Sequence, residues 1–201
     1  MNITTNEYGQ PWSASQYLVL DLEGTGAQHR ENEGIVHIAG VVVKDGVVTG
    51  EHFSHLLDPE ISIPFFISRI HGITDKETQG MPKFKEVKDD ILAFIEDRIV
   101  VSHNASVERR VLRFRLPEYE PSIMLDTLKM SRAAYPGEKG HSLDAVIKRL
   151  QLESLISSVD SKKHSALYDA MATAHAFVSL ATRLAGATGT LQQLAPYALH
   201  H

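Results

Sequence analysis

The sequence predicts an α/β domain in which a mixed sheet is covered by helices. Three observations carry that expectation. Three short apolar runs bounded by turn residues open the chain, and two further runs alternate with segments whose apolar residues recur at helical spacing. No repeat, low-complexity block or linker interrupts the 201 residues, a length most simply read as one domain with a full core.

Residues 1–15 read as a polar N-terminal arm. "QYLVLDLEG" is apolar with turn residues behind it, the pattern of a buried strand. "IVHIAGVVV" and "GEHFSHLLDP" are two more strands, and the Asp-Gly of "KDGVV" between them predicts a tight hairpin. "DPEISIPFFISRIHGITDKET" is loop-rich with one short helix, and Gly72 after His71 supplies a turn. In "KFKEVKDDILAFIEDR", Val87, Ile91, Phe94 and Ile95 fall at helical intervals. "IVVS" is a buried strand, followed by a helix "SVERRVLRFRL" with Val107, Val111 and Phe114 on one face. "SIMLDTLKMSRAAY" is a strand running into a helix that Asp126 caps. "SLDAVIKRLQL" is the next helix, opened by His141 and Asp144. The last, "SALYDAMATAHAFVSLATRLA", aligns Ala170, Ala174, Phe177, Ala181 and Leu184 on one stripe. The domain so read spans residues 16–185, leaving 186–201 as a tail that docks or frays.

Composition narrows the function classes. Hydrophobic content of 43% and charged content of 22% are those of an ordinary globular chain. No run approaches the roughly 18 apolar residues of a membrane span, so no membrane partner is expected. The opening "MNITTNEYGQPWSAS" lacks the apolar centre of a secretory signal. Zero cysteines exclude disulfides, thiolate nucleophiles and Cys-ligated zinc, and suit a cytoplasmic location. The net charge of −5 supplies no global basic field, so nucleic-acid binding must be local or assisted by cations.

The chemistry-bearing residues are carboxylates. Asp21 and Glu23 lie two apart on the first strand, so its alternation points both at one face. They sit at the strand's C-terminal end before "GTG", where open α/β sheets place ligands. Alone, such a pair is most simply a strand end meeting solvent. Asp169 lies in the first turns of the last helix, with His164 five residues earlier in the preceding loop. Together, Asp21, Glu23 and Asp169 form an all-oxygen set suited to Mg²⁺ or Mn²⁺ rather than zinc. A histidine with a reference pKa of about 6.5 can take the proton of an attacking water. This is the equipment of two-metal phosphodiester cleavage.

The motifs "DLEGTG", "SHNASVERRVL" and "HSALYDA" resemble, in order, D-x-E-x-T-G, H-N-A-x-F-D-x-x-x-L and H-x-A-x-x-D-A. These are the motifs of the DEDDh family of 3′–5′ exonucleases, which includes polymerase proofreading subunits, RNase T and oligoribonuclease. "IPFFISRIHGIT" and "DTLKMSRAAYP" through "HSLDAVIKRLQL" are similar to family segments lying between them, so the likeness covers roughly residues 17–185. It implies an RNase H-like fold with a five-stranded mixed sheet, three strands antiparallel and then two parallel. It implies two Mg²⁺ or Mn²⁺ ions, with Asp21 bridging both and Glu23 and Asp169 completing the shell of the first ion. His164 would be the general base, and Glu108 stands where the family's acid supports the second ion through water. Gly24, Thr25, Asn104 and His71 fall at positions near the terminal nucleotide. Asn104 is equally simply a helix N-cap.

Three departures from the family pattern stand out. Glu108 replaces Asp, Val107 replaces an aromatic, and Gly24 replaces a common Thr. Glu108 is one methylene longer and retains the charge, whereas on its own it is a solvated first-turn helix acid favoured by the dipole. Gly24 loosens the backbone and removes a side chain facing substrate. His37 reads as a packed or edge histidine, and His103 as a strand-end residue that can orient its neighbours. Arg109, Arg110, Arg113 and Arg115 read as a solvated helix face. Lys163, beside Lys162 and His164, is the candidate phosphate contact.

The resemblance implies single-stranded DNA or RNA 3′ ends as substrate, with a polymerase as a candidate partner. The acidic charge and the absence of interleaved basic and aromatic residues also allow very short oligonucleotides or small nucleotide-like phosphate esters. The three departures keep open a decayed module that binds nucleic acid without cleaving it.

Overall fold

Five strands form one sheet in the order β3-β2-β1-β4-β5 in the computed structural model. It describes residues 8–26, 33–95, 98–117, 119, 121, 123–156 and 165–199. β1 (Tyr17–Gly24) is central, antiparallel to β2 (Ile35–Lys44), which pairs antiparallel with β3 (Val47–Leu56). β4 (Ile99–Ser102) runs parallel to β1, and β5 (Met124–Asp126) parallel to β4. The β2–β3 turn places Asp45 and Gly46 at φ 54° and 72°, the two positive values a type I′ hairpin requires.

The loop-rich excursion holds two short helices rather than one, α1 (Phe65–His71) and α2 (Asp75–Thr78). Gly72 ends α1 in the left-handed conformation at φ 75°. Then come α3 (Phe84–Ile95), α4 (Ser106–Arg115), α5 (Thr127–Ala134), α6 (Leu143–Leu150), α7 (Glu153–Ile156), α8 (Ala166–Ala185) and α9 (Leu191–Leu194). No helix among the described residues is long and apolar enough to cross a membrane.

The alternation of β1 divides the interior into two cores. Tyr17 and Val19 face a cluster with Ala170, Ala174, Phe177 and Ala181 of α8. Leu18, Leu20 and Leu22 face the other way, toward Val87, Ile91 and Ile95 of α3 and Val111 and Leu112 of α4. Asp21 and Glu23 continue the odd-numbered series, and so come out on the side of α8. The buried face of α4 differs from the expected one. Phe114 is exposed, and Glu108, Val111 and Leu112 are buried. The apolar pattern misled because a carboxylate, not Val107, occupies the inward position.

Chain ends add to the α8 core. Trp12 is 2% exposed, stands edge-on to Phe177 at 5.9 Å, and donates from Nε1 to Gly186 O at 2.8 Å. The tail docks: Leu191 and Leu194 are fully buried, and Leu199 N donates to Met124 O at 2.9 Å.

Candidate active site

The strand period and the helix meet at one point. Ligand oxygens of Asp21, Glu23 and Asp169 all lie within 4.8 Å of one another, and each residue is half-buried. Asp169 reaches them because its helix begins there. Ser165 caps α8, its Oγ accepting from Tyr168 N at 3.3 Å. His37 holds the same turn: its Nδ1 accepts from Ala166 N at 3.3 Å, and its Nε2 meets Ser54 Oγ at 2.8 Å. An accepting Nδ1 puts the proton on Nε2. Burial, then His71 and His55, pushes His37 down to about 4, so the ring is neutral at pH 7 as this arrangement needs.

Glu108 belongs to the cluster and is not a solvated helix acid. It is 5% exposed, and its Oε2 is buried without a hydrogen-bond partner among the described residues. Burial raises it to about 8; Asp126 and Glu23 add to the rise, while its own backbone N–H and Arg110 oppose it. Burial, followed by Glu108, Glu23 and Asp169, holds Asp21 well above the usual carboxylate range. Burial and then Asp169 raise Glu23 to about 7. Carboxylates gathered this closely, with one buried oxygen orphaned, are the electrostatic counterpart of a cation. The donors are all oxygen, so the residues fit a hard divalent ion.

The surrounding loops depart from the sequence expectation. Asn104 does not cap α4; the cap position is Ala105 and has no side-chain hydrogen bond. Asn104 instead adopts the left-handed region at φ 64°, which Asn tolerates, and its N–H donates to Asp126 Oδ1 at 3.0 Å. Asp126 Oδ1 also accepts from Leu128 N at 2.9 Å, the expected cap of α5. His103 Nδ1 meets Thr127 Oγ1 at 2.9 Å, joining the ends of β4 and β5.

Gly24 is there for space rather than looseness. A Cβ on it would lie 2.6 Å from Oε1 of Glu33. Thr25 is buried, its Oγ1 accepting from Gly34 N at 3.0 Å. His71 is buried beside the Gly24 backbone; its Nδ1 accepts from Ile73 N at 3.1 Å, and its Nε2 has no hydrogen-bond partner among the described residues. The arginines of α4 are only in part a solvated face, since Arg110 pairs with Glu33 and Arg115 donates to the Glu33 carbonyl. His164, Lys162 and Lys163 lie outside the described residues.

Sequence reasoning missed His37 and Glu33 as supports of the site, because their partners are distant in the chain. It also passed over Phe65, Phe66 and Ile70, exposed by 77%, 56% and 67% on α1. The next helix position, Ile67, packs against Gly26 at the end of the "DLEGTG" segment. The Pro-Phe-Phe in a loop-rich stretch was the available signal.

The mixed five-stranded sheet, three strands antiparallel and then two parallel, matches RNase H-like exonuclease folds, and carboxylates gather at the end of its central strand. The family model described as Exonuclease (RNase_T) matches residues 18–177. The chain is 34% identical over 176 residues to the DNA polymerase III subunit epsilon of Rickettsia felis, covering 84% of this chain and 75% of that one. It is 32% identical over 174 residues to the DNA polymerase III subunit epsilon of Aquifex aeolicus, covering 84% and 81%. Exonuclease X, solved in complex with 5′ overhanging duplex DNA, superposes with a TM-score of 0.69 at 30% identity, covering 90% of this chain and 98% of that one. The nuclease domain of 3′hExo, a DEDDh family member bound to rAMP, has the same fold at TM-score 0.69 and 14% identity, covering 85% and 93%. The chain belongs to this exonuclease family and is a 3′–5′ exonuclease. The family depends on divalent metal.

Proposed function

We propose that the chain removes nucleoside 5′-monophosphates from single-stranded DNA or RNA 3′ ends, using two Mg²⁺ or Mn²⁺ ions. The observation that carries this reading is the convergence of Asp21, Glu23 and Asp169 within 4.8 Å, with Glu108 buried beside them. Asp21 would hold both ions, Glu23 and Asp169 would complete the shell of the first ion, and Glu108 would support the second ion. When bound, such ions stabilise the attacking and leaving oxygens. His164 takes the proton of the attacking water. The water oxygen bonds to phosphorus, the bond to the 3′ oxygen of the preceding nucleotide breaks, and the terminal monophosphate leaves. Thr25, Gly24, Asn104 and His71 would shape the seat of the terminal nucleotide, and Lys163 would supply positive charge to phosphate. Phe65 and Phe66 stand exposed on the helix whose Ile67 packs against Gly26, and would offer rings to bases, where stacking contributes about 1–3 kcal/mol per base.

The net charge of −5 favours a short footprint, from very short oligonucleotides upward, over a long strand. The names of the bacterial relatives, subunits of DNA polymerase III, suggest a polymerase as partner. The test uses 3′-labelled DNA and RNA oligomers in a length series from the dinucleotide, with Mn²⁺. Mononucleotide release that Asp21→Ala abolishes supports the reading. Tight binding without release would instead identify a decayed module.

A further inference from the structure

The β1–β2 ladder slips between Glu23 and Gly24. Regular sheet pairing therefore stops fixing the chain one residue after a carboxylate of the cluster. A clasp with residues 33–34 takes over. Thr25 N donates to Gly34 O at 3.0 Å, and Gly34 N donates to Thr25 Oγ1 at 3.0 Å. Glu33 then ties the clasp to α4. Its carboxylate, on a residue 8% exposed, is bridged by the Arg110 guanidinium, and its carbonyl accepts from Arg115 Nη2 at 2.7 Å. The carboxylate stands where a side chain on residue 24 would begin, 2.6 Å from the Cβ position. A buried carboxylate without its cation is costly, so the pairing is strongly specified. α4 is also the helix of Glu108.

We propose that Glu33 and Arg110 are a positioning pair for the active site. They fasten the end of β1 to α4, so that Glu23 and Glu108 keep their spacing, and Gly24 provides the room the pair needs. Arg110 acts through Glu33 rather than on the reacting atoms. The proposal rests on reading the carboxylate cluster as the metal-binding active site.

The experiment measures Mn²⁺ affinity by calorimetry, and kcat and KM on a 3′-labelled oligonucleotide. The expected result for Glu33→Gln and Arg110→Gln is Mn²⁺ binding about tenfold weaker and kcat about tenfold lower, the scale of a sub-ångström misplacement. KM stays within about twofold, and the double variant is no worse than either single, because both remove one interaction. Arg110→Lys recovers most of the loss. A lower melting temperature with unchanged Mn²⁺ affinity would overturn the proposal, as would fully additive losses. If Arg110→Gln does not fold, Glu33→Gln and Gly24→Ala decide: both must weaken Mn²⁺ binding, and normal affinity in either overturns the proposal. Asp21→Ala separates the two readings, since wild-type turnover that survives it removes the site assignment and the pairing proposal with it.

Discussion

His37 and Ala166 are 129 residues apart, yet the ring Nδ1 of the first accepts the backbone N–H of the second at 3.3 Å. His37 lies opposite Glu23 in the β1–β2 register, and Ala166 opens the helix that carries Asp169. One neutral imidazole thus joins the two elements that supply the carboxylates.

This contact has a pH signature. His37 is pushed down to about 4 in the fold, against about 6.5 when unfolded. The unfolded chain binds the extra proton between those values, so stability rises with pH across that window. The contribution is complete above about 6.5 and is lost as pH falls toward 4. Melting temperatures of wild type and His37→Gln, compared from pH 4 to 7, should show a shallower slope for the variant. Equal slopes would remove His37 from this role.

The carboxylates act in the opposite sense. Glu23 at about 7 and Glu108 at about 8 are raised above their ordinary value, so without metal the folded state holds protons that the unfolded chain has released. Their favourable contribution is whole below about 4.5 and disappears as pH climbs through 7 and 8. The metal-free protein should therefore lose stability between pH 6 and 8.5. Mn²⁺ should raise its melting temperature more at pH 8 than at pH 6. Thermal melts with EDTA and with Mn²⁺ check this; an equal gain at both pH values counts against a cation among these residues.

Much of this was legible in the sequence because it depends on short-range pattern. The five strands, the Asp45-Gly46 turn and the α8 stripe follow from periods of two and 3.6 and from turn chemistry. Asp21 and Glu23 were readable as a pair because strand alternation alone puts them on one face. The errors came where a polar residue took an apolar one's place. Glu108 faces inward on α4, which displaced the expected Val107–Phe114 face, and Asn104 took a left-handed backbone rather than a cap. Gly24, Glu33 and Arg110 were invisible as a group because their relationship exists only after β1 and α4 are assembled.

Trp12 tests whether the N-terminal segment is structural. It is 2% exposed, packs on Tyr17 and Phe177, and bonds to Gly186. Trp12→Ala should cost about 3–5 kcal/mol in denaturant unfolding, the range for truncating a large buried aromatic. A loss below about 1 kcal/mol, the scale of a surface substitution, would show that the segment is dispensable to the core.

Glu108 separates charge, length and burial. Its unpartnered Oε2 and its effect on Asp21 place it among the cluster's carboxylates, although it lies outside the triad within 4.8 Å. A ligand acting through water tolerates a change of one methylene better than a direct ligand does. Glu108→Asp should therefore keep or raise kcat, whereas Glu108→Ala should lower it by roughly a hundredfold, the scale of a 1 Å misplacement. Glu108→Ala should also raise the melting temperature of the metal-free protein at pH 8.5, because a buried, partly ionised carboxyl is gone. Opposite signs for rate and metal-free stability are the mark of a residue kept for its site at a cost to the fold. An unchanged rate in Glu108→Ala would leave Glu108 a buried acid without a part in the reaction.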